Sequence, residues 1–200
     1  MAERAHGAAS NAVMEDSLSE IEWARHKAAE LAKLAERNAI VIVPIGSTEQ
    51  HGPHLPTQVD ARTDCIYTFI SEFTVRHRVP LAGGTYWNIA QTEIAQILEK
   101  QKALLHACEA ETSMMLALAP ELIDRDGLSQ VRGDLVPGLS AIPGVNAGVY
   151  RWRQLASRSL SGVIGEVGAA SPEKGERLLQ AIASAVAKAL LEERLWEEPI

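Results

Sequence analysis

The chain has 200 residues, 46% of them hydrophobic, with a formal net charge of -7 and two cysteines. That length suits one domain able to bury its own core, and Cys65 and Cys108 are too few for a disulfide framework. The acidic balance argues against nucleic acid as a partner, and with no apolar run of membrane-spanning length the expectation is a cytoplasmic protein without a membrane partner.

Residues 1–16 carry Ala, Gly, Ser and Asn without the apolar run of a signal peptide, so they read as a disordered lead-in to a domain spanning 17–200. Ser17 or Ser19 caps a helix predicted to about Arg37, with Ile21, Ala24, Ala28, Leu31, Leu34 and Ala35 as its apolar stripe. Trp23 reads as a packing residue. The β-branched run from Ala39 to Ile45 predicts a short buried strand. At Gly46 it breaks into a loop holding Glu49, His51, His54 and Asp60.

Glu49 and His51 stand two apart, so an extended backbone sends both side chains from one face. Gly52-Pro53 turns the chain, and Pro56 stiffens the return that brings Asp60 back toward them. Two carboxylates and an imidazole at the carboxyl end of a strand suit a divalent cation such as zinc or manganese. Open α/β sheets bind their ligands at that end. A solvated, hydrogen-bonded loop is the plainer reading of the same residues.

Ala61 to about Arg76 predicts a helix with Ile66, Phe69, Ile70 and Phe73 on one side and Cys65 as a small buried residue. After the break at Pro80 and Gly83-Gly84, Ala90 to about Leu104 is helical by pattern, with Ile94, Ile97 and Leu98 inward. His106 then leads into a helix through Met114 to Leu118, where the Met-Met-Leu run is core. Asp126 to Tyr150, with Pro137-Gly138 and Pro143-Gly144, reads as a long surface loop over the site or a subunit interface. Arg151 and Arg153 around Trp152 read as a solvated edge. Val163-Ile164 predicts a short strand. Ser171 caps and Pro172 starts a last helix to about Trp196, with Leu178, Ile182, Val186 and Leu190 inward.

The string Gly46-Ser47-Thr48-Glu49-Gln50-His51-Gly52-Pro53-His54-Leu55-Pro56, followed by Asp60, resembles the signature of the creatininase (creatinine amidohydrolase) family. His106-Ala107-Cys108-Glu109-Ala110-Glu111-Thr112-Ser113 resembles that family's His-Ala-Gly-Glu-x-Glu-Thr-Ser block, and Ala119-Pro120-Glu121-Leu122-Ile123 follows it as in the family. Gly162 to Gly165 and Ala169 to Leu179 resemble the closing strand, turn and helix. The resemblance covers most of residues 18 to 194. One portion is missing. Between Arg76 and Trp87 the chain lacks the family's Asn-Gly-His segment, a gap of about 30 residues or one βαβ unit, through either an internal deletion or a shortened gene.

The resemblance implies an α/β fold: three-layer α/β/α with a mostly parallel sheet, shortened by one βαβ unit. It implies a metal-dependent amidohydrolase with two divalent metals, Zn2+ first and Mn2+ or Fe2+ as alternatives. Glu49 would ligate one metal, His51 the other, and Asp60 would bridge them. His106 matches the family histidine that carries a proton to the leaving nitrogen. Glu109 is the further ligand expected for the second metal, leaving Glu111 as a supporting or structural acid.

Without the Asn-Gly-His histidine, the Glu49 metal keeps only Glu49 and Asp60, so the His51-Asp60-Glu109 site is expected to bind and the other to stay weak or empty. His54 and His77 are remote substitutes, and His54 is expected to hydrogen-bond within its loop. Lys102 and Ala103 stand where creatininase itself has a Trp-Asp pair for its substrate. The expected substrate is therefore a small cyclic amide or formamide rather than creatinine in particular. A homo-oligomer, a hexamer in the family, is the expected assembly. The alternative function is a catalytically dead relative serving as a structural or interaction subunit.

Overall fold

The computed structural model describes residues 22, 25–45, 51–56, 64–133, 157 and 159–197, with no side chains described at 64–66. Tertiary contacts divide the chain into two compact units, Met1–Pro44 and Ile45–Ile200. In the first, α1 spans Ala28–Glu36. The cap falls at Lys27, whose backbone N–H donates to Glu30 (2.8 Å), well after the serines expected to begin the helix; Ser17, Ser19 and Ile21 lie outside the described residues. No residue of α1 is buried.

The strand expected over Ala39–Ile45 does not form a ladder. Among the described residues the only β-bridge outside helices joins His51 and Leu55, and Ile40, Val41, Ile42, Val43 and Ile45 are exposed. Strands hold only against neighbours that accept and donate their backbone hydrogen bonds. Among the described residues none supplies such a neighbour to this run.

The second unit is organised by one long helix. Pro172–Leu190 forms α7, whose start is set as the sequence implies: Ser171 Oγ accepts from the Lys174 N–H, with Pro172 in the first turn. Three helices pack along it: α3 (Tyr86–Ile89), α4 (Gln91–Ile97) and α5 (Glu109–Leu118). Ala90, Ile94, Leu98, Cys108, Ala110, Met114 and Leu178 form the core between them. Gly175 lets α5 and α7 approach closely, since a Cβ there would collide with the Ser113 carbonyl. The last helix stops at Leu190, short of Trp196, whose indole N–H donates to the Leu190 carbonyl (2.8 Å).

Helix α4 also ends early, at Ile97 instead of Leu104. The reason is local: the Glu99 and Lys100 N–H groups donate to the Glu109 carboxylate (3.0 and 3.1 Å), so they are unavailable to carbonyls a turn back. A second core of Leu55, Ala107, Leu116, Ile123, Val131, Val163 and Val167 lies under the loop that carries His51. Val163 and Ile164, expected as a short strand, are buried but make no strand pairing among the described residues. The segment after Ile123 opens with a short helix, α6 (Arg125–Gln130), capped by Asp124; residues 134–156 lie outside the described set, and with them the Pro-Gly pairs and the Arg151-Trp152-Arg153 cluster.

Helix α2, Asp64–His77, matches the expected element, yet Tyr67, Phe69 and Val75 are exposed. Its Phe73 ring lies 4.5 Å from that of His77. No described helix is long and apolar enough to cross a membrane.

Candidate active site

The site is built where the His51 loop meets the first turn of α5. Gly52 adopts φ +69°, and a Cβ there would stand 2.6 Å from Val163 Cγ2, so the turn after His51 requires glycine. The turn puts His51 and His54 both out of solvent, at 0% and 1% exposure. His54 does not bond within its own loop. Its Nε2 lies 3.0 Å from Thr112 Oγ1 on α5, and the Thr112 hydroxyl donates onward to the Ala107 carbonyl (3.4 Å). That chain assigns His54 Nε2 the proton. Burial, and then neighbouring His51, hold the His54 pKa below its ordinary value, so the ring is neutral.

His106 stacks on His51, with ring centroids 4.4 Å apart and planes 27° from parallel. It remains half-buried, so one imidazole reaches toward solvent while the other is sealed. The next residue, Ala107, is held at φ +52°, a left-handed conformation that a non-glycine residue adopts at a cost on the order of 1–3 kcal/mol. Two bonds hold this bend: the Ile164 N–H donates to the His106 carbonyl (2.8 Å), and the Ala107 N–H donates to Glu111 Oε2 (2.5 Å).

Glu111 is the third member. With Cys108 as the helix cap, it occupies the third position of α5, from which a glutamate reaches back to the chain before the helix. One oxygen makes that reach. The other, Oε1, faces His51 Nε2 at 4.0 Å. Both side chains are fully buried.

Glu109 is placed differently. In a helix, residues two apart leave the axis at about 200° to each other, so Glu109 departs on the side opposite Glu111. Its Oε1 takes the Lys174 ammonium (2.5 Å) and the Glu99 N–H, and its Oε2 takes the Lys100 N–H. Burial pushes the Glu109 carboxyl up, but the Glu99 N–H, Lys174 and the Lys100 N–H together carry it below the usual range. It is a committed anion. The structure thus brings together His51, His106 and Glu111, and does not bring Glu109 to them.

Glu49 and Asp60 lie outside the described residues, and among the described residues no three His, Cys, Asp or Glu side chains gather as a cation site. Two donors each about 2.0–2.2 Å from one tetrahedral zinc stand about 3.3–3.6 Å apart; His51 Nε2 and Glu111 Oε1, a neutral-capable imidazole and a carboxylate of the type zinc takes, stand 4.0 Å apart, so the pair would have to close by about half an ångström to share an ion. Cys108 offers no competing thiolate, because burial, with Glu111 beside it, raises its pKa to about 11.

Sequence reasoning left Glu111 in a supporting part. The signal that could have promoted it was its spacing from the helix start, which fixes one oxygen on the backbone and turns the other toward His51. Lys174 was missed altogether, since nothing near it in sequence marks it as the partner of a glutamate 65 positions away.

Comparison with known proteins bears on the family and the fold. The pattern of the creatininase family, described as creatinine amidohydrolase, matches residues 24–67 and 62–190. Among curated proteins none matches the chain. Among solved structures, a mutant creatininase of the Zn-Zn type is similar over 86% of this chain and 98% of its own, with 17% identity and a TM-score of 0.59. A protein of Bacteroides fragilis NCTC 9343 assigned as a creatinine amidohydrolase is similar over 92% of this chain and 81% of its own, with 22% identity and a TM-score of 0.51. At those identities the solved structures speak for the fold, and the matched family pattern covers most of the chain. This chain belongs to the creatininase family.

Proposed function

We propose that the chain is a metal-dependent amidohydrolase acting on a small cyclic amide or a formamide. The observation that carries this is the convergence of His51, His106 and Glu111 from two distant segments. The same family membership supports the three-layer plan with a mostly parallel sheet, one βαβ unit short. In this reading His51 and Glu111 hold a divalent cation, zinc in the first instance, together with Asp60 and, more weakly, Glu49. When bound, such a cation lowers the pKa of water and polarises a carbonyl, as amide hydrolysis near neutral pH requires.

The protein's own groups do the rest. Glu111 is held through Oε2 by the Ala107 N–H, so Oε1 is already directed at His51 and does not have to be ordered on binding. His51 is locked by burial and by its stack on His106. His106, half-exposed, is the group able to take a proton from the attacking side and deliver it to the departing nitrogen. The apolar wall of Leu55, Ala107 and Val163 keeps bulk water away and strengthens each of these polar contacts.

Elemental analysis and zinc titration, followed by hydrolysis assays on creatinine and a panel of cyclic amides and formamides, test the proposal. Turnover with any of them, lost on chelation and regained with zinc, is the expected result. A chain that neither binds zinc nor turns over any of these amides overturns it. That outcome would favour the second reading, an inactive family member serving as an interaction subunit, which the missing Asn-Gly-His segment motivates.

A further inference from the structure

Lys174 is the most deeply placed ammonium described, at 5% exposure, yet it takes no part in the chemistry above. Its Nζ donates to Glu109 Oε1 (2.5 Å) and to the Ala169 carbonyl, and it meets Glu99 at 3.1 Å. Through these bonds it joins four pieces of chain: the first turn of α7, the first turn of α5, the turn at Glu99-Lys100, and the strap from Ile164 to Ala169. The strap is the one whose Ile164 N–H holds the His106 carbonyl. The α5 turn is the one that carries Glu111. We propose that Lys174 is a positioning residue of the site: by clamping Glu109 on one side of α5, it fixes the direction in which Glu111 leaves the other. This rests on the reading of His51, His106 and Glu111 as the reacting centre.

Two physical points carry it. A buried ion pair is a poor device for stability alone, because a well-packed apolar pair of the same size does as well or better. What it adds is direction. The four donors and acceptors around Glu109 and Lys174 admit one orientation of the helix turn, whereas apolar packing tolerates rotation. The second point is leverage. Glu109 and Glu111 are rigidly opposed on the same turn, so a rotation of roughly 10° about the axis moves a carboxylate by about 1 Å, a displacement that costs on the order of a hundredfold in a reacting geometry. The Ala107 N–H holds one oxygen of Glu111 from a bend just before the helix, and that bend hangs, through the Ile164 N–H and the His106 carbonyl, on the same strap that Lys174 binds at Ala169.

The test uses the full chain with Lys174→Met, Lys174→Arg and the double variant Glu109→Gln/Lys174→Met. Three readouts are taken: thermal midpoint, ring resonances of His51 and His106 in metal-free protein, and zinc affinity by calorimetric titration. The double variant removes the stranded anion and restores the thermal midpoint to near that of the parent. The expected result is that it nevertheless keeps displaced His51 and His106 resonances and a zinc affinity lowered roughly 10- to 100-fold, while Lys174→Arg keeps parental values in all three. Should Lys174→Met fail to fold, the double variant decides. Resonances and zinc affinity that return with the midpoint in the double variant would reduce Lys174 to a structural residue and overturn the proposal. A parent chain that binds no zinc would instead sink the metal reading, and the ring resonances would still judge the clamp.

Discussion

Glu109→Gln is the most informative perturbation of the pair on which α5 and α7 are joined. It preserves shape and leaves one oxygen, able to accept from the Glu99 or the Lys100 N–H but not from both, and it removes the charge facing the Lys174 ammonium at 2.5 Å. Breaking one partner of a buried pair costs about 3–5 kcal/mol. Lys174 keeps Glu99 at 3.1 Å, and because the Glu99 side chain is 66% exposed that remaining contact is worth little. We therefore expect a loss of about 2–4 kcal/mol, a fall of roughly 5–15 °C in the thermal midpoint for a chain of this size.

The same variant gives the pH dependence its sign. The folded Glu109 carboxyl titrates below its ordinary value of 4.5, so it contributes stability that is fully present above that value and is lost as pH falls through the folded pKa. Lys174 lies above its ordinary 10.5: burial lowers it, but Glu109 and Glu99 more than offset that. Its contribution is whole below 10.5 and is lost as pH rises beyond it. Parent and variant should accordingly differ in full at pH 7 and converge as the solution is taken below pH 4. Circular dichroism melts across pH 3 to 8 measure this. A difference under about 0.5 kcal/mol at pH 7, or one unchanged at pH 3, would refute the reasoning.

The remaining expectations concern the site and its walls. Glu111→Gln keeps the bond from the Ala107 N–H and should lower zinc affinity by on the order of a hundredfold, while changing metal-free stability by less than about 1 kcal/mol, read by titration and melting. His106→Ala should reduce turnover by about 10²–10⁴ with zinc affinity nearly unchanged; an equal fall in both would make His106 a ligand. Gly52→Ala forces a Cβ toward Val163 Cγ2 at a positive φ and should destabilise by about 1–3 kcal/mol in denaturant melts. Cys108, with its thiol near 11, should stay unmodified by iodoacetamide at pH 8 until the chain unfolds, as mass spectrometry would report.

How far the sequence could be read depended on the range of the interactions involved. Helix α7 was legible in full at its start, because Ser171, Pro172 and the Leu178 stripe act within one turn of themselves. The His51 loop and the His106 block were legible because their residue order is specific to one family. The choice between Glu109 and Glu111 was not. Their opposed directions follow from helix geometry, but which side faces His51 depends on how α5 lies on α7, and that is decided by Lys174, Gly175 and Ser113 meeting across the chain. The end of α4 failed for a similar reason, since a distant carboxylate captured the two N–H groups that would have continued it. The Ala39–Ile45 run has every local property of a strand. A ladder is a property of two segments, and among the described residues none pairs with it.

Anomalous diffraction at the zinc edge, from crystals of the zinc-loaded chain, tests the central claim most directly. The account predicts a peak within about 2.0–2.2 Å of both His51 Nε2 and a Glu111 oxygen, with Glu109 still on Lys174. A peak against Glu109, or zinc bound away from His51, would contradict it.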